Sequence, residues 1–174
     1  MAAEFIGHTF ATPDQINYLT EDYVAVETAL FGPPGTRLNI SNDNFSIRIN
    51  VKKKKEQSLP CEPVGAIFHS LKDPEWEAEQ DVEAKKEKKE SGGNGISTGG
   101  QQQQSEPKAP VKMPLELRRA MEQRVAKTAL AEGERALPKA GLLFFPYHGK
   151  TQNIHSIELV YAGPAGEAVL QLQP

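Results

Sequence analysis

A single cysteine stands among 174 residues. Cys61 therefore closes no intrachain disulfide, and a thiolate-rich zinc site is equally excluded. No run approaches the roughly 18 consecutive apolar residues of a membrane span. Neither sign of charge dominates: 20 Lys and Arg against 23 Asp and Glu leave a net charge of -3. That balance removes any general electrostatic reason to expect a nucleic acid or an anionic membrane as partner. The first basic residue is Arg37, so the opening Met1-Ala-Ala-Glu-Phe-Ile carries no basic flank of the kind a signal peptide needs. A mature exported domain expressed with a new start methionine would look the same. The hydrophobic share, 38%, is low for a globular chain. There is chain enough for one core, and part of it contributes nothing to that core.

What is present is mostly strand-like. The run TEDYVAVETALF, residues 20–31, sets Val24, Val26, Thr28 and Leu30 on one side and Tyr23, Ala25, Glu27, Ala29 and Phe31 on the other. This predicts a strand with one strongly buried face. GPPG at 32–35 enforces a loop, because two prolines cannot join a ladder and two glycines permit sharp turns. From Asn44 to Val51 the alternation is clean: Phe45, Ile47, Ile49 and Val51 oppose Asn44, Ser46, Arg48 and Asn50. A half-exposed antiparallel strand is expected there, entered through the turn cluster Ser41-Asn-Asp-Asn and left through Lys52 to Lys55. VGAIFH at 64–69 reads as a further short strand.

The texture then changes. Asp73-Pro74-Glu75 supplies a cap, a first-turn proline and a first-turn acid, and Lys85, Lys86, Lys88 and Lys89 complement the far end of a charged helix. SGGNGISTGGQQQQSEPKAP, residues 91–110, is linker chemistry and is expected to be disordered. Leu117, Met121, Val125 and Thr128 recur at helical spacing, so an amphipathic helix is predicted over residues 114–131, opened by Pro114 and stopped at Gly133. AGLLFFP at 140–146 is apolar on both faces when read as a strand, which calls for cover on each side. The strand pieces 154–161 and 167–172 lie close enough to form a hairpin. The expected architecture is mainly β, an antiparallel β-sandwich with a helical, partly disordered insertion. Residues 1–72 and 136–174 supply its strands, and residues 73–135 form the insertion.

The motifs that could carry chemistry fail at the positions where the chemistry lies. GPPGT at 32–36 opens like a phosphate loop, but the lysine and hydroxyl that would hold phosphate and magnesium are replaced by Leu38 and Asn39, and the second glycine by Arg37. Gly149-Lys150-Thr151 has the right ending, yet Phe144 stands where the first glycine belongs. His8, His69, His148 and His155 show no metal-ligand spacing. His155 shares strand parity with Ile157, Leu159 and Tyr161, and is expected at a partly covered strand end. The acids of 75–90 lack a calcium-loop pattern. Cys61 sits beside Glu62, and a neighbouring acid raises a thiol's pKa, which argues against an activated nucleophile. No catalytic residue, metal or cofactor is assigned. Lys52, Lys53, Lys54 and Lys55, with no interleaved aromatics, read first as a solubilising edge.

TEDYVAVETALF and NDNFSIRIN near the N-terminus, with ALPKAGLLFFP and IHSIELVYAG near the C-terminus, together resemble bacterial extracytoplasmic immunoglobulin-like domains of the accessory kind. The whole is similar to exported proteins of soil bacteria of the acidobacterial type. The resemblance covers about half the chain and omits the helical segment. It implies an immunoglobulin-like fold and a periplasmic or secreted setting, and it transfers no active site.

The expected function is accordingly a non-enzymatic, extracytoplasmic interaction domain whose partner is another protein or an envelope component, with no nucleic acid and no transmembrane span. Its candidate interaction surface is Trp76, Tyr147, His148 and the run Lys52 to Lys55. The alternative is a small-ligand or carbohydrate-binding module using Trp76, Tyr147 and Tyr161. An enzyme is the third reading, and it would need His148, His155 or His69 to converge with carboxylates.

Overall fold

The computed structural model describes residues 1–51, 56–80, 82 and 112–174. Lys52 to Lys55, the linker 91–110 and nearly all of the expected charged helix beyond residue 80 lie outside the described residues. The chain is mainly β. Its strands are β1 (Ala2–Gly7), β2 (Thr9–Ala11), β3 (Asn17–Thr20), β4 (Tyr23–Leu30), β5 (Arg37–Ile40), β6 (Phe45–Val51) and β7 (Gln57–Pro60). Then follow β8 (Leu71–Lys72), β9 (Gly133–Ala136), β10 (Lys139–Pro146), β11 (Ile154–Gly163) and β12 (Gly166–Leu172). Helical segments are α1 (Val64–Ile67), α2 over 74–80 and α3 (Leu115–Thr128). The strands form sheets ordered β1-β4-β10, β12-β11-β6-β7, β2-β3-β8 and β5-β9, with every pairing antiparallel.

The central strand is β4, flanked by β1 and β10. Val24, Val26 and Leu30 of β4, with Leu143 and Phe145 of β10, share a buried cluster with Phe45, Ile47 and Ile49 of β6 and Ile157, Leu159 and Tyr161 of β11. The opposite faces of the same two strands are also covered. Tyr23, Ala25, Leu142 and Phe144 pack with Met121 and Val125 of α3, Ile67 of α1, and Phe10, Tyr18 and Leu71 of the small sheet. This double cover explains AGLLFFP: successive residues of a strand point to opposite faces, and here each face meets a separate apolar layer. It also refines the expectation for β4: the face with Val24, Val26, Thr28 and Leu30 is buried throughout, and the other face is buried in its first half, where α3 and the N-terminal strands cover Tyr23 and Ala25, while Glu27 is exposed.

Several local expectations are corrected as well. Residues 64–67 form a helical turn instead of a strand, with Pro63 at the cap position and the Ala66 N–H donating to Pro63 O at 2.9 Å. Val64 and Ile67 face one cluster at a spacing of three; so short an apolar run does not by itself distinguish strand from helix. Helix α3 stops at Thr128, well before Gly133, because Ala129 turns extended and the Leu130 N–H donates to Leu142 O at 2.8 Å. Leu117 is half-buried and lies outside the cluster that holds Met121 and Val125. Strand β9, just after α3, pairs with β5.

Candidate interaction surface

Three loops meet where β4 begins and β10 ends. Asp22 lies in the turn between β3 and β4, and its carbonyl accepts the Tyr147 N–H at 2.8 Å. Its carboxylate reaches both ways. Oδ1 is 2.9 Å from Nδ1 of His148, and Oδ2 is 3.6 Å from Nε2 of His69. Since an ionised carboxylate only accepts, His148 presents its Nδ1–H to Asp22. The contact to His69 is an ion-pair distance rather than a hydrogen bond. Asp22 thus joins two imidazoles 47 and 126 residues away in the sequence, which no local spacing could reveal.

The surroundings of this corner are tightly tied. His8 places Nδ1 3.0 Å from Thr20 O and 2.8 Å from Tyr23 O, with Nε2 2.8 Å from Gly149 O. Its ring stacks on Tyr147, with centroids 6.1 Å apart. The Tyr23 hydroxyl donates to Glu62 Oε2 at 3.0 Å, and the Tyr23 ring meets His69 edge-on. Burial, followed by the Glu62 carboxylate, pushes the Tyr23 phenol up to about 12. Cys61 is buried in the main core, and burial pushes its thiol up to about 12, with Glu132, Glu62 and Asp43 adding smaller contributions. The direction is the one expected for Cys61, but desolvation is the dominant cause and Glu62 a minor one. Among the described residues, no three His, Cys, Asp or Glu side chains are placed to hold a metal ion.

Of the residues singled out from sequence, Tyr147 and His148 meet at this corner, and both line a cleft of about 690 Å³ with Val51, Leu59 and Asn153. Tyr147 is only 6% exposed, so it supplies the edge of a ring to the cleft wall and no open platform. His148 is exposed. Trp76 sits apart, half-buried on α2, whose first turn is capped by Asp73 Oδ1 accepting from the Glu75 and Trp76 N–H groups. Lys52 to Lys55 lie outside the described residues, between the cleft residues Val51 and Gln57. His155 is corrected: a bulge in β11 between Ile154 and Ser156 shifts the parity, so Ile154 turns inward while His155 is exposed.

The sheet edges differ sharply in how they end. Strand β1 carries a bulge between Phe5 and Gly7. The outer side of β10 is occupied by the Leu130 and Glu62 N–H groups, which donate to Leu142 O and Phe144 O at 2.8 and 2.9 Å. Strand β7 is four residues long and closes with Pro60. Strand β12, by contrast, runs seven residues, GEAVLQL, in unbroken register with β11 and contains neither Lys nor Pro. Among the described residues no backbone hydrogen bond reaches it apart from its ladder to β11. Bulges, prolines and charges are among the usual protections of an edge, and of these β12 has only Glu167; β1 lies close to it, but among the described residues no backbone hydrogen bond joins the two.

Apolar surface gathers beside this edge. Val169, at the centre of β12, is 54% exposed, and Phe31, in the loop after β4, is 61% exposed. A cavity of about 310 Å³ brings Met1, Phe31, Pro33, Leu137 and Tyr161 together with Ala168 of β12. GPPGT is part of that wall: the Thr36 N–H donates to Pro33 O at 3.1 Å, closing a turn. No family model, curated protein or solved structure matches the chain.

Proposed function

We propose that the protein is a non-enzymatic interaction module acting outside the cytoplasm, an immunoglobulin-like β-sandwich that takes up an extended segment of a protein partner along β12. In this reading the sheets that share the main core are the two layers of the sandwich, residues 73–135 are an insertion between its strands, and α3 of that insertion covers the outer face of β4 and β10. The carrying observation is the open, continuous edge of β12 with Val169 exposed at its centre. Strand addition at such an edge supplies affinity through main-chain bonds and specificity through alternate side chains. Burial raises the Tyr23 phenol and the Cys61 thiol, so neither of these two groups supplies a nucleophile at neutral pH; the convergence an enzyme would need is met in part, where His69 and His148 reach the Asp22 carboxylate. The extracytoplasmic setting rests on the sequence resemblance. Among the described residues no helix is long and apolar enough to cross a membrane.

Peptide display on the immobilised protein tests this reading. Selected binders should be extended, β-prone segments that lose about tenfold or more in affinity against Val169→Lys, which places a charge at the centre of the edge. Binders that ignore Val169→Lys and depend on His148 would overturn it. They would favour the second reading, a small-ligand module, whose supporting observation is the 690 Å³ cleft beside His148.

A further inference from the structure

Resting on the reading of β12 as a docking edge, we infer that its partner is a second copy of this chain, with two β12 strands paired antiparallel about a two-fold axis through Val169. The argument is one of self-complementarity. An isologous contact requires the same surface to fit itself, residue i meeting j while j meets i. Centred on Val169, the pairing sets Glu167 opposite Gln171 and Ala168 opposite Leu170 of the second copy. The one acid of the edge thus faces an amide and not its own copy, so no like charges oppose each other.

Both faces of the extended sheet gain from this register. On the outer face Val169 already pairs with Val160 of β11. Two copies would set four valines in one row across four strands, covering the exposed Val169 with its counterpart. On the inner face Ala168 and Leu170 are half-buried at the margin of the main core. Each would gain the other as neighbour, extending the apolar layer across the junction. The two four-stranded sheets would become one sheet of eight, and both open edges would disappear together.

Sedimentation velocity across a concentration series, on the full chain and on Val169→Lys, tests the inference. The expected result is a mass rising from 19.1 kDa towards twice that value for the wild type, with dimerisation weakened at least about tenfold in the variant. Circular dichroism of Val169→Lys should match the wild type, since the side chain it replaces is exposed. A second variant, Glu167→Lys with Gln171→Glu, keeps opposite groups matched in the proposed register and should still dimerise. A wild type that stays monomeric while display binders still require Val169 overturns the second copy and leaves the docking edge standing. A dimer indifferent to Val169→Lys overturns both.

Discussion

Tyr23 and Cys61 show how position governs the chemistry of individual residues. Each holds its proton in the folded chain to about 12, against ordinary values of 10.0 and 9.0. An unfolded chain releases these protons first, so above pH 9 the folded state binds more protons than the unfolded one. Stability from these two groups is therefore complete below their unfolded values and is lost as pH rises towards about 12. Urea unfolding through that range should show a falling midpoint, and the fall should be shallower in Tyr23→Phe combined with Cys61→Ala. Equal slopes in the two proteins would contradict the assignment. The burial of Tyr23 was hard to read from sequence. Its face of β4 alternates with Glu27, which is exposed, and the cover over Tyr23 and Ala25 comes from segments distant in the chain.

Among the elements, the central pair β4 and β10 depends on close approach as much as on apolar content. Gly141 lies opposite Thr28, and a Cβ placed on it would come within 2.6 Å of the Leu130 backbone, the same segment that seals the β10 edge. Gly141→Ala must displace that segment, and the expected loss is about 2–3 kcal/mol. Denaturant midpoints check this, and a neutral substitution would show that Leu130 gives way freely. The two-sided nature of AGLLFFP, the alternation of β6, the β11–β12 hairpin and the apolar face of α3 were all legible, because each carries several residues in phase with its period. Strands β1, β2, β3, β5, β7 and β9 were not. They are short or mixed in polarity, and pairing with distant partners stabilises them where local pattern does not. The two-residue β8 lies below any periodic signal. For the site, the sequence pointed to Tyr147 and His148 but not to Asp22, because the convergence of three loops leaves no trace in spacing.

For the whole molecule, the distribution of protection is uneven. The exposed sides of β1, β7 and β10 are bulged, ended by proline or occupied by other segments, while β12 ends the largest sheet with its outer backbone groups free of partners among the described residues. That contrast between blunted edges and one long, even edge is what supports the proposal that β12 is the interaction surface. Amide hydrogen exchange along β12, read residue by residue in dilute protein, tests this claim most directly. In an antiparallel edge strand alternate amides bond inward and the others point away. One alternating set in β12 should exchange as freely as a loop while the other is protected, and the fast set should slow when partner or concentration supplies a neighbouring strand. Uniform protection along β12 in dilute protein would mean the edge is already covered, and would contradict the proposal.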